Sequence, residues 1–185
     1  FHGRGFEAGQ VVYGEGDEAQ HLYLIAMGRV RLHRTATSGR EVVLDILRGG
    51  EYFGTLTVLG GRLHTETAIA QTDGCILKIS SVDFESILAE YPDVTRKVLE
   101  AVSARLAESQ ETVRQLSMFT VEQRIASALL RLAGKLGEAR GQGVLIQLPF
   151  SRQDLAAMTG STTETVSRVM GRLAGERLVK TGRKW

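Results

Sequence analysis

The sequence predicts an α+β chain with its strands in front and its helices behind, and three observations carry that prediction. Between Phe6 and Ser80 apolar residues recur at every second position, as in LYLIA, VRLHR and VVLDIL, punctuated by Gly14, Gly16, Gly28, Gly39, Gly49, Gly50, Gly54, Gly60 and Gly61. Many short strands with glycine turns mean an antiparallel roll, barrel or sandwich. From Pro92 to Leu116, the residues Leu99, Val102, Leu106, Ser109, Val113 and Leu116 follow alternating steps of three and four, a heptad seam on one long helix. Finally, SRQDLAAMTGSTTETVSRVMGRL, residues 151–173, spells two short amphipathic helices around Gly160, the pattern of a helix-turn-helix.

Taken in order, the roll closes its edges and leaves an interior where a small ligand could sit, although period two alone favours a filled core. The long helix carries too narrow a stripe for ordinary packing, and a parallel pair would make a dimer; the plainer alternative is a helix lying on its own roll. Ser109 interrupts the seam with a hydroxyl, to set register or to face something brought between the helices. SMFTV, residues 117–121, reads as a break and hinge before another helix carrying Ile125, Ala128, Leu129 and Leu132 to about Leu136. GEARGQG then reads as a glycine-rich loop and VLIQL as a short strand. After the helix pair, LVKTGRKW reads as a strand pair, the wing of a winged helix, with Lys180, Arg183 and Lys184 placed for phosphates.

At 185 residues and 43% hydrophobic, the chain can bury a core and form two small domains. It has no apolar run near the roughly 20 residues that span a bilayer and no signal-peptide pattern, so no membrane partner and a cytoplasmic location are expected. Phe1 and Trp185 both read as cut or unseen ends. The single cysteine, Cys75, excludes an internal disulfide framework and reads as buried core within CILKI. The net charge of +2 hides an asymmetry: residues 117–185 hold 11 Lys or Arg against 5 Asp or Glu, net +6, whereas residues 1–116 hold 12 against 16, net −4. A basic C-terminal third is the electrostatic footprint of a phosphate-binding module.

That charge turns the helix pair from a generic hairpin into a candidate DNA reader. Ser151 is the expected N-cap of the first helix, with Asp154 as its acidic partner and Leu155, Ala156 and Met158 as its buried face. The second helix starts at Ser161, whose pairing with Glu164 could equally be a plain capping box. It buries Val166, Val169, Met170 and Leu173 and leaves Thr163, Glu164, Ser167 and Arg168 outside. An Arg on such a face can bind guanine O6 and N7 together, and a carboxylate can accept from cytosine N4.

This order of elements resembles the bacterial CRP/FNR transcription regulators, over nearly the whole chain. The resemblance rests on GEGDEAQHLYLIAMGRV at 14–30, YFG at 52–54, VEQRIASALLRLA at 121–133 and the helix-turn-helix at 151–173. It implies a cyclic-nucleotide-binding-like β-roll over residues 1–91, a dimerisation helix and hinge over 92–118, and a winged helix-turn-helix over 119–185. Glu164, Ser167 and Arg168 match the E-x-x-S-R arrangement of the FNR branch. Thr163 stands where the cyclic-AMP receptor branch has arginine, so a TTGAT half-site is expected rather than TGTGA. Ser151, Arg152, Gln153, Thr162 and Thr165 match family positions that hold phosphates.

The sensor departs from the family pattern. An FNR-type iron–sulfur cluster needs clustered cysteines, and Cys75 stands alone. The cyclic-AMP motif, G-E-L followed by R-S-A, keeps Gly54 but has Thr55 for the glutamate, His64 near the arginine and Thr65 near the serine, with Glu66 repelling a phosphate. Arg105 and Ser109 match receptor positions on the dimer helix, while Gln110 replaces a second hydroxyl; Arg62 is a conceivable substitute phosphate ligand. Cyclic AMP is therefore a candidate effector ranked behind another effector or none. A haem is a further family option, but His2, His21, His33 and His64 show no ligand spacing, and no metal site is expected.

The expected protein is a homodimeric, sequence-specific regulator of transcription on inverted-repeat duplex DNA, with RNA polymerase as its implied partner. The rival is a cyclic-nucleotide-responsive binding module whose C-terminal domain contacts protein instead of DNA. An enzyme is not expected, because no catalytic constellation sits in motif-grade context.

Overall fold

The computed structural model describes residues 2–55 and 61–182. It divides into two compact units, Phe1–Ala36 with Val43–Gln110, and Thr37–Val42 with Glu111–Trp185.

The first unit is a roll of two antiparallel four-stranded sheets. Its strands are β1 (His2–Phe6), β2 (Val11–Tyr13), β3 (His21–Met27), β4 (Arg29–Thr35), β5 (Glu41–Arg48), β6 (Tyr52–Phe53), β7 (Thr67–Ala70) and β8 (Gly74–Ser80). One sheet runs β1-β8-β3-β6 and the other β2-β7-β4-β5. Strand alternation places Val30 and Leu32 of β4, Ala68 and Ala70 of β7, Ile25 of β3 and Ile76 of β8 in one core with Phe6, Tyr13, Leu47 and Phe53. Cys75 is half-buried rather than in that core, because its neighbour Ile76 takes the inward position on β8.

A ten-residue helix, α1 (Ser81–Glu90), follows β8. Sequence periodicity did not separate it from the roll, although Ser80 and Asp83 carry its start: the Ser80 hydroxyl accepts from the Asp83 N–H and donates to its carboxylate. Phe84 of α1 packs on Leu22 and Ile79 in a small outer cluster that also takes Val98 of the next helix. That helix, α2 (Pro92–Met118), is 27 residues long and starts on a proline, whose missing N–H costs nothing at the first helical position.

The expected break near 117–121 is narrow: α2 runs through Met118, and Thr120 caps α3 (Val121–Leu136) in a capping box with Gln123. GEAR is not loop but strand β9 (Gly137–Arg140), paired with β10 (Gly143–Ile146). Two turn residues join them, and Gly141 takes φ 57° at the first, a conformation that glycine adopts freely. The helix pair follows as α4 (Arg152–Thr159) and α5 (Thr163–Gly175), packed on α3 through Ile125, Ala128, Leu155, Ala156, Val166, Val169 and Met170.

The strand expected from Leu178 does not form among the described residues. The chain leaves α5 by a left-handed Arg177 (φ 60°), and the N–H groups of Leu178 and Val179 turn back to the Leu173 carbonyl instead of a neighbouring strand. Arg183 and Lys184 lie outside the described residues.

Candidate nucleic-acid interface and effector pocket

The turn between α4 and α5 is built by short polar residues. Ser151 caps α4 in a reciprocal box with Asp154, as its spacing implied. Gly160 ends the helix at φ 61°, ψ 36°, the left-handed cap that favours glycine. Ser161 does not start the next helix. It is buried, its hydroxyl pairs with that of Thr159 at 3.0 Å, and Thr159 in turn donates to the Leu155 carbonyl. Thr162 is the N-cap, accepting from the Thr165 N–H at 3.2 Å. Two adjacent hydroxyl residues competed for the cap, and burial of the first against Thr159 settled it. For the same reason α4 buries Thr159 where Met158 was expected, and Met158 is half-buried.

Beyond this cap, Val166, Val169 and Met170 are buried, and Thr163, Glu164, Ser167 and Arg168 are all exposed on the opposite face. Ser151, Arg152, Gln153 and Thr162 are exposed and Thr165 is half-buried, so the phosphate candidates gather at the N-terminal ends of the two helices. Lys180 is exposed past α5. Two guanidinium groups tie α5 to its neighbours: Arg152 donates to the Ser167 carbonyl at 3.1 Å, and Arg172 pairs with Glu122 of α3 at 2.7 Å. Spacing alone could not reveal either contact, because both join different helices.

The α2 seam is open in the single chain. Leu99, Leu106, Val113 and Leu116 are 65%, 59%, 63% and 47% exposed, Val102 is half-buried and Ser109 is exposed. Val98, one position from the seam, does the packing on the roll.

In the roll, Gly54, Thr55 and Thr65 of the matched effector positions lie close to His64, and Ser109 and Gln110 do not. Gly54 takes φ 103°, and a Cβ there would lie 3.1 Å from the His21 carbonyl oxygen and the Tyr23 ring. The Thr55 N–H makes a long 3.4 Å bond to His64 Nδ1. The His64 ring is buried and stacks on Tyr13 with centroids 3.6 Å apart and planes at 10°. Burial pushes its pKa down, assisted by His21 and opposed by Glu66 and Asp17, so the ring is neutral at pH 7. Tyr13 donates to Glu66 at 2.9 Å, and Thr65 donates to the same carboxylate at 2.5 Å. Burial and that carboxylate push the Tyr13 hydroxyl up, so it stays a proton donor. Arg105 lies 4.5 Å over the Tyr52 ring and donates to the Tyr52 carbonyl. Arg62 is exposed, and Ser109 and Gln110 lie on exposed α2 surface.

These residues do not fit an anionic cyclic phosphate. A neutral, stacked imidazole occupies the arginine position, a carboxylate adjoins it, and the nearby guanidinium is engaged with Tyr52. His33, like His64, is buried. Among the described residues, no group of three or more His, Cys, Asp or Glu side chains could hold a metal ion, and no helix is long and apolar enough to cross a membrane.

A two-sheet roll, a long helix with an exposed apolar seam and a helix pair with a polar outer face together define a DNA-binding regulator built on a ligand-binding fold. Residues 4–91 match the cyclic nucleotide-binding domain model and residues 123–185 the Crp-like helix-turn-helix domain model. The chain is 34% identical to the cyclic AMP receptor protein of Thermus thermophilus, over 98% of this chain and 81% of that protein. It is 30% identical to the global nitrogen regulator of Synechococcus elongatus, over 97% and 82%. Its fold is similar to that of the c-di-GMP responsive global regulator CLP of Xanthomonas campestris, with TM-score 0.84, 25% identity and coverage of 99% and 91%. The chain belongs to the CRP/FNR family of DNA-binding transcription regulators.

Proposed function

We propose that two copies of this chain pair along the α2 seam and place their α5 helices in successive major grooves of an inverted repeat, about one helical turn apart. The observation that carries this reading is the outer face of α5, where Thr163, Glu164, Ser167 and Arg168 are exposed together beside a buried apolar face. Arg168 and Glu164 read one G·C pair and Ser167 a neighbouring A·T pair, in half-sites of the TTGAT kind. Ser151, Arg152, Gln153, Thr162, Thr165 and Lys180 position the protein through phosphate contacts, which do not themselves read sequence. Once seated in a promoter, the dimer acts on RNA polymerase in the cytoplasm.

Cyclic AMP does not gate this protein; another effector does, or the free dimer is already competent and its concentration regulates. Neutral His64 and the engaged Glu66 and Arg105 support that reading. Titration of duplex DNA at several salt concentrations tests the function as a whole. Phosphate contacts require log affinity to fall linearly with log salt, by roughly 0.9 per phosphate contacted. Salt-insensitive or absent DNA binding would move the second unit to the protein-contacting alternative.

A further inference from the structure

The Arg152 guanidinium stands at the first position of α4, beside the Ser151 cap, and donates to the Ser167 carbonyl in the middle of α5. Ser167 lies between Glu164 and Arg168 on the exposed face, and its carbonyl already serves the helix's own i to i+4 ladder; the guanidinium takes the second lone pair. Val166, Val169 and Met170 lie on one side of α5 and fix its depth against α3 and α4. They also set which face of α5 points inward, and within the slack that this non-directional packing leaves, a directional contact fixes the last degrees of roll. An Arg side chain reaches beyond the roughly 5–6 Å radius of its helix, so a roll of about 10° moves its tip by over 1 Å. That exceeds the roughly 0.5 Å within which a site's polar groups must be held. Arg172, paired to Glu122, holds the other end of α5.

We propose that Arg152 is a specificity-determining positioning residue: it sets the roll of the recognition helix through the Ser167 backbone, so that Arg168 and Glu164 meet the base edges. A guanidinium has five donors, so a phosphate contact by another of its N–H groups is compatible with this role, which rests on the DNA reading above.

The test compares the full-length wild type with Arg152→Lys and Arg152→Ala by selection from a randomised duplex pool. Anisotropy on the selected duplex, on a scrambled one, and on one with the G·C pair of the half-site replaced then gives each protein's discrimination. Arg152→Lys keeps the charge but lacks the planar fork, and thermal melting of each variant reports its folding. The proposal predicts that both variants lose about tenfold in the ratio of selected to scrambled affinity, with flattened discrimination at the G·C pair. It is overturned if both duplexes weaken by the same factor, the signature of a phosphate contact alone, or if Arg152→Lys selects the wild-type sequence with undiminished preference. A wild type that enriches no sequence overturns the DNA reading itself, and this inference with it.

Discussion

In the roll, the side chains at three of the matched effector positions, His64, Thr65 and Arg105, are engaged by neighbouring residues. His64 stacks on Tyr13, Tyr13 and Thr65 donate to Glu66, and Arg105 is held by Tyr52. In the helix-turn-helix the reverse holds: Thr163, Glu164, Ser167 and Arg168 are exposed, and the local side-chain hydrogen bonds are made by the caps, by Thr159 and Ser161 behind them and by Arg152 to the Ser167 carbonyl. Both regions follow the same family plan, yet the helix keeps these side chains exposed, while in the roll His64 is buried against Tyr13 and the exposed Thr65 and Arg105 are bonded to neighbours. The resemblance is therefore followed more closely along the outer face of α5 than around His64, where an imidazole and the Glu66 carboxylate stand together.

The sharpest way to break the DNA half of this contrast is at the seam. Leu106→Glu puts charges where two apolar surfaces meet, and should leave a monomer by sedimentation with at least about a 100-fold loss of affinity for an inverted repeat, because the two half-sites are no longer linked. A dimeric variant with wild-type affinity would remove the seam from the account. Next, Arg168→Ala should cost about 1–3 kcal/mol on the specific duplex and relax selection at one G·C pair, while leaving scrambled DNA nearly unaffected; anisotropy on both duplexes reads this directly.

On the roll side, Gly54→Ala forces a left-handed residue toward the His21 carbonyl and should lower stability by about 1–3 kcal/mol in urea unfolding. Arg177→Gly probes the opposite case, a non-glycine residue at φ 60°, and should stabilise by up to about 1 kcal/mol. The smallest effect is a pH dependence. Since the folded-state pKa of His64 lies below its unfolded value, the unfolded chain binds the proton first, and stability falls as pH drops below about 6.5. It levels off below the folded pKa. His64→Gln should flatten this part of the urea-unfolding profile between pH 7.5 and 5, and an unchanged slope would mean that the ring already titrates freely.

What was legible in the sequence was whatever local chemistry decides. The Ser151 and Asp154 cap, the left-handed Gly160, the α3 periodicity and the exposed seam all follow from residues a few positions apart. What was not legible depended on contacts between elements. Ser161 and Thr162 are equivalent caps until Thr159 buries one of them; GEAR reads as loop until Val144 and Leu145 pair with it. The backbone of Leu178 and Val179 was likewise hidden, since their N–H groups turn back on the Leu173 carbonyl, a contact that no local strand pattern shows. The state of His64 was also hidden, because only the fold brings Tyr13 against it from 51 residues away in sequence.

The central claim is a seam-linked dimer whose α5 helices read an inverted repeat without cyclic AMP. It is tested most directly by anisotropy titration of the intact protein on a TTGAT inverted-repeat duplex against a scrambled competitor, with and without cyclic AMP. The account predicts salt-sensitive binding that prefers the repeat by orders of magnitude and does not change with cyclic AMP. Equal affinity for the scrambled duplex, or preference that appears only when cyclic AMP is added, would contradict it.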